Sequence, residues 1–187
     1  MTHTERVALF PGTFNPFTVG HADIIQRGLE IFDRIVIGIG LNGEKIIEQQ
    51  MAGSQTAQTV GDQSRSAGSG GQNGPSAAPD SPLSDTDARL ENIRSFYQDN
   101  PRVSVMAYTD LTVDAARRVG ATCLLRGLRT GKDFEYERDI ADINRRISGI
   151  DTVMLFTNPQ YQCISSRIVR DLQRHGKDMS AYLPKKS

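Results

Sequence analysis

Apolar and polar positions along the chain alternate between two periods, and the alternation repeats five times. The run RVALF predicts a first strand over 6–10. Ala22, Ile25, Leu29 and Phe32 then recur at helical spacing, which predicts a helix over 18–32. RIVIGIGL, at 34–41, is an almost unbroken β-branched run, the pattern of a strand buried on both faces. Leu90, Ile93, Phe96 and Tyr97 mark a helix over 86–98 that Asn100-Pro101 stops. A strand over 102–108 and a short helix over 113–119, ended by Gly120, follow. TCLLRG at 122–127 is a fourth strand, and a long helix over 133–148 carries Phe134, Ile140, Ile143 and Ile147 as its apolar members. A fifth strand spans 151–156, and a last main helix runs over 165–175 to Gly176. SAYLP near the C-terminus suggests one further helical turn.

Strand–helix alternation of this kind implies an α/β fold: a doubly wound five-stranded parallel sheet with helices on both faces. The interruption is 49–82, which is rich in Gly, Ser, Gln, Ala and Pro and nearly without large apolar residues. Such a segment buries too little surface to offset its ordering entropy, so a disordered insertion into a single domain is expected there.

At 187 residues the chain is long enough to bury one real core. Its formal net charge is zero, which argues against broad electrostatic attachment to nucleic acid or to an anionic membrane. MTHTERVALF lacks the basic-then-apolar pattern of a signal peptide, and no window has the length of a membrane span. Cys123 and Cys163 match no metal-ligand spacing and read as free thiols. A soluble, cytoplasmic protein is the expectation.

In a doubly wound sheet, ligands bind beyond the carboxyl ends of the strands, where the winding reverses. The unusual polar residues fall at those ends. GTFNPFTVGH follows strand one, Asn42-Gly43-Glu44-Lys45 strand two and Thr109-Asp110-Leu111-Thr112 strand three. Strand four ends in Arg126-Gly127-Leu128-Arg129, and TNPQYQCISSR follows strand five. One crevice would thus gather His21, Lys45, Arg126, Arg129, several hydroxyls and two helix N-termini, with Gly12 and Gly20 letting backbone approach a ligand. That donor set suits a polyanionic small molecule. Each feature taken singly has a plainer reading: glycines in a turn, a surface histidine, arginines paired with Asp133 or Glu137, serines capping a helix. Their conjunction at five strand ends favours the site.

Neither G-x-x-x-x-G-K-[ST] nor G-x-G-x-x-G occurs, and no Ser-His-acid or Cys-His set is evident. A site without an obvious base suits a nucleophile that is already an anion. A phosphate monoester is largely dianionic at neutral pH, so attack on another phosphorus needs only alignment and charge neutralisation.

GTFNPFTVGH resembles the T-x-x-H signature of the nucleotidylyltransferase superfamily, and ISSR resembles its second signature, I-S-S-[ST]. RGLR followed by DFEYE, with Lys45 and YTDLT, resembles the bacterial phosphopantetheine adenylyltransferases, over about 6–48 and 84–184. The resemblance implies a Rossmann-like nucleotidyltransferase fold that moves the adenylyl group of ATP to 4′-phosphopantetheine with Mg2+, releasing pyrophosphate and dephospho-coenzyme A. It also implies a homohexamer and feedback inhibition by coenzyme A. Carried to matching positions, it makes His21 the catalytic stabiliser of charge at the α-phosphate. Thr13 meets both substrates; Lys45, Thr112 and Arg126 hold phosphopantetheine, and no residue ligates a metal directly. Phe14, Gly127, Leu128, Arg129 and Glu137 contact ATP, as do Tyr161, Gln162, Cys163, Ile164, Ser165, Ser166 and Arg167.

Three positions depart from the family pattern. Asn15 replaces the aspartate of GTFDP, Arg167 stands where Ser or Thr is usual, and the low-complexity insertion follows Lys45. A nicotinate or nicotinamide mononucleotide adenylyltransferase is the enzyme alternative, against which RGLR and DFEYE speak. A catalytically silent nucleotide or coenzyme A sensor is the other alternative, and the intact His21, Lys45, Arg126 and Arg129 speak against it.

Overall fold

Val7–Gly12 forms β1, Val19–Gly28 α1 and Arg34–Gly40 β2 of a computed structural model that describes residues 4–41 and 82–185. Pro82–Phe96 forms α2, Val103–Tyr108 β3, Thr112–Arg118 α3 and Cys123–Leu128 β4. Gly131–Ser148 forms α4, Asp151–Phe156 β5 and Ser166–Arg174 α5, with a 3-10 turn at Pro159–Tyr161. The strands make one parallel sheet in the order β3-β2-β1-β4-β5. Winding therefore runs outward from β1 through β2 to β3, then restarts on the other side with β4 and β5.

The period-2 pleat splits the core in two. Ala8, Phe10, Ile35, Ile37 and Ile39 pack on one face with Ile24 and Ile25 of α1 and Leu90 and Ile93 of α2. Val7, Leu9, Val36 and Leu124 pack on the other with Ala115 and Ala116 of α3. α1 seats closely because Gly28 has no side chain: a Cβ there would lie 2.8 Å from Ile35 Cδ1 and 2.9 Å from Leu125 Cδ2.

The helix expected over 18–32 ends at Gly28, four residues early. Its last apolar members still pack, because Phe32 N–H bonds Gly28 O (2.8 Å) in a closing turn and Arg102 donates to Phe32 O (2.7 Å) and Asp33 O (2.9 Å). α4 starts two residues before its expected first residue. Thr130 caps it, accepting from Asp133 N (3.2 Å) while Asp133 accepts from Thr130 N (3.2 Å). β1 runs on to Gly12 and β4 to Leu128, and α3 lies one residue earlier than its pattern suggested. SAYLP makes a turn rather than a helix, and Tyr182 O accepts from Val19 N at the start of α1 (3.0 Å).

α4 is the larger surprise. Phe134, Ile143 and Ile147 are 40, 58 and 55% exposed, and the buried member of this helix is Glu137. The expected disordered stretch 49–82 lies outside the described residues except for Pro82, which opens α2. Among the described residues no helix is long and apolar enough to cross a membrane.

Candidate functional site

The winding reversal leaves a gap. β1 and β4 pair only at Ala8↔Cys123 and Leu9↔Leu124, while the neighbouring strand pairs each keep six matched positions. Beyond Leu9 and Leu124 the two central strands part, and a cavity of about 830 Å³ opens between their carboxyl ends. Where a ladder bond is lost, the Arg126 side chain crosses instead and donates to Pro11 O (2.6 Å).

The β1–α1 loop forms one wall. Phe14 holds a left-handed backbone (φ 45°), costly for a bulky residue, and its ring is buried against Phe10 and Phe17. Gly12 is required by this packing: a Cβ there would lie 2.8 Å from Phe14 Cζ. That is a different reason from close approach to a ligand. Gly20 lines the cavity with ordinary clearance, since a Cβ would have its nearest neighbour at 3.7 Å.

His21 occupies the third position of α1. Its Nδ1 accepts from Thr18 N (3.0 Å), so the neutral ring carries its proton on Nε2, the opposite edge. Phe17 stacks on it and Phe14 meets it edge-on. Removal from water lowers its pKa to about 4, with Arg129 and Arg126 adding repulsion. At neutral pH His21 is an uncharged hydrogen-bond donor fixed at the edge of the cavity.

Arg126 and Glu137 satisfy both readings of their sequence. Arg126 Nε donates to Glu137 Oε2 (2.7 Å) and a second nitrogen to Glu137 Oε1, which makes a forked pair across the cavity. Arg129 pairs with Asp133 (3.5 Å), and its backbone N–H reaches the same carboxylate (3.1 Å). Both arginines line the cavity and keep N–H groups that no other described residue engages. Thr112 opens α3 with its hydroxyl 3.0 Å from Tyr108 Oη. Ser165 caps α5 by accepting from Ile168 N (3.2 Å), and Ser166 donates to Pro16 O (2.9 Å).

Of the expected site residues, Thr13, Phe14, His21, Thr112, Arg126, Gly127, Arg129, Glu137, Ile164, Ser165, Ser166 and Arg167 line this one cavity. Lys45 lies outside the described residues. Leu128, Tyr161, Gln162 and Cys163 do not line it. Leu128 turns into the core, and Gln162 donates instead to Arg129 O (2.7 Å), bracing that residue from behind. Cys163 is exposed, and both cysteines are free. Sequence reasoning missed the far wall, where α4 brings Ile140, Ala141 and Asn144 opposite Leu124 and Thr152. Thr152 Oγ1 is buried there without a protein partner. The apolar spacing of α4 was visible, but the part of it that faces a cavity rather than a core was not.

The comparisons agree with this geometry. The cytidylyltransferase-like family model matches residues 9–56 and 57–172. Phosphopantetheine adenylyltransferase of Bacteroides fragilis is 42% identical over 96% of this chain and 97% of its own length. Those of Porphyromonas gingivalis and Flavobacterium psychrophilum are 40% and 37% identical, each over 96% of this chain and 95% of theirs. Among solved structures, a bifunctional NMN adenylyltransferase/ADP ribose pyrophosphatase of Francisella tularensis superposes with a TM-score of 0.58 at 15% identity. It covers 98% of this chain, which spans 46% of that longer one, and at such identity the likeness is one of fold. A cytidylyltransferase-like match through most of the chain, and relatives at 37–42% identity along nearly all of it, place the chain within one family: it belongs to the phosphopantetheine adenylyltransferases.

Proposed function

We propose that the chain transfers the adenylyl group of ATP to 4′-phosphopantetheine, giving dephospho-coenzyme A and pyrophosphate. The observation that carries this reading is the meeting of a neutral His21 with Arg126 and Arg129 in one cavity whose lining also includes the apolar Leu124, Ile140 and Ala141. The phosphate end of the acceptor suits Arg126, with Lys45 and Thr112 as further contacts. The uncharged arm suits the part of the lining that Leu124, Ile140 and Ala141 form, where Asn144 offers polar atoms.

In this reading an oxygen of the acceptor phosphate forms a bond to the α-phosphorus of ATP, and the bond from that phosphorus to the pyrophosphate oxygen breaks. The nucleophile is already an anion, so no residue must remove a proton. His21 Nε2–H donates to the α-phosphate, where charge builds in the transition state. Thr13, the Phe14 backbone, the α5 start at Ser165 and Ser166, and Arg167 hold the phosphates. Gly127, Arg129 and Ile164 border the nucleotide, with Leu128 contributing backbone only, and Glu137 acts by orienting Arg126. Tyr161, Gln162 and Cys163 shape the loop behind it. Mg2+ enters on the ATP phosphates, where it would neutralise charge on the leaving pyrophosphate. Among the described residues no three His, Cys, Asp or Glu group together to hold an ion by themselves.

The same reading makes the chain one nucleotidyltransferase domain carrying a low-complexity insertion, and a cytoplasmic enzyme inhibited by coenzyme A. It also makes the protein a homohexamer, which the exposed apolar side chains of α4 support. The test is a mixture of protein, Mg2+ and ATP with either 4′-phosphopantetheine or nicotinamide mononucleotide. Pyrophosphate release with the first alone is expected; release with the second alone, or with neither, contradicts the reading.

A further inference from the structure

Phe14 is the one non-glycine residue with positive φ among the described residues, and it sits in the loop between Thr13 and His21. The peptide carbonyls on either side of it are held by arginines from two different helices. Arg89 of α2 donates to Thr13 O (2.9 Å), and Arg170 of α5 donates to Asn15 O. Neither bond is local in sequence.

Arg89 is itself fixed in place. Its other nitrogens bond Thr86 Oγ1 (2.9 Å) and Asp85 O (3.2 Å), and Asp85 pairs with it (3.0 Å). Arg170 lies four residues after Ser166, so both project from one side of α5, and Ser166 holds the next carbonyl, Pro16 O (2.9 Å). Because a trans peptide sets its N–H opposite its C=O, the bond from Arg89 to Thr13 O turns the Phe14 N–H away from α2. Arg89 does not line the cavity, whereas Thr13, Phe14 and Arg170 do.

We propose that Arg89 and Arg170 are positioning residues that clamp the strained β1–α1 loop, fixing the phosphate-facing Thr13–Phe14 peptide and the entry to His21. Arg89 acts through the loop alone, while Arg170, which also lines the cavity, acts on the loop through Asn15 O. The clamp also ties the loop to the start of α5, so the two phosphate-binding segments hold one spacing. The effect on turnover rests on the adenylyl-transfer reading above; the clamp itself does not.

Arg89→Ala and Arg89→Lys are compared with Arg94→Ala, which removes an exposed pair with Glu91 on the same helix (2.7 Å). For Arg89→Ala, kcat is expected to fall about 10- to 100-fold with KM for ATP within about twofold, as for a misplaced but intact site. Arg89→Lys, which keeps one donor for Thr13 O, recovers part of the loss, and Arg94→Ala matches the wild type. Amide hydrogen exchange over 12–18 accelerates in Arg89→Ala and in Arg170→Ala at unchanged exchange in β2. Unchanged exchange over 12–18 overturns the clamp whether or not the wild type transfers adenylyl groups. An active wild type with an equally active Arg89→Ala overturns its role in turnover. If Arg89→Ala does not fold, Arg89→Met, which keeps the aliphatic stem and removes every donor, carries the test, and wild-type kcat and exchange in that variant overturn the proposal.

Discussion

The β1–α1 loop and helix α4 both line the cavity, and they are held in opposite ways. The loop buries its aromatic rings and surrenders its carbonyls: Phe14 and Phe17 are 2 and 6% exposed, and Thr13, Asn15 and Pro16 each have their carbonyl taken by a side chain from elsewhere. α4 has regular backbone bonding of its own, yet it leaves Tyr136, Ile143 and Ile147 more than half exposed and buries a carboxylate. An irregular segment is thus fixed by the chain itself, while a regular one keeps an apolar side that the described residues leave exposed. The difference separates two needs. Adenylyl transfer needs atoms placed to within a fraction of an ångström, and side-chain clamps supply that where no ladder exists. Association between copies needs area, and an amphipathic helix supplies that.

The largest expected effect concerns the loop wall. His21→Ala lowers kcat on the order of 10²- to 10³-fold while the thermal transition stays cooperative, because the lost donor matters most in the transition state. Steady-state kinetics beside a melting curve checks this, and near-normal turnover would remove His21 from the chemistry. The smaller effect concerns α4. Ile143→Asp leaves the protomer folded, since this side chain faces outward, and weakens self-association roughly ten- to a hundredfold, the value of one buried aliphatic side chain. Sedimentation velocity over a dilution series reads it. An unchanged species distribution would mean that α4 does not join copies of the chain, and a collapsed fold would mean that α4 is supported by Ile143 within the protomer.

Much of this was legible in the sequence, for physical reasons. The parallel sheet followed from β-branched runs such as RIVIGIGL alternating with helical periods, and the site followed from the rule that polar residues gather at strand ends. The pairings of Arg126 with Glu137 and Arg129 with Asp133 were legible as alternatives to ligand contact; the structure gives the pairs and leaves donors to spare. The left-handed Phe14 was not legible, since no glycine or asparagine marks it and the packing that sustains it comes from Phe10, Phe17 and His21. The bonds of Arg89 to Thr13 and of Arg170 to Asn15 span 76 and 155 residues, beyond any local pattern. The early end of α1 was hidden because residues 29–32 keep helical spacing in a turn.

Whether His21 acts as a neutral donor through Nε2 is read from nitrogen-15 NMR of the imidazole across a pH series. Folding holds the pKa at about 4, below the free value, so the unfolded chain takes up the proton first and stability declines as pH falls from about 6.5 towards 4. A ring protonated on Nε2 alone from pH 8 down to about 5, titrating near pH 4, is expected. A ring protonated on Nδ1, or one that titrates near 6.5 in the folded protein, would contradict that role.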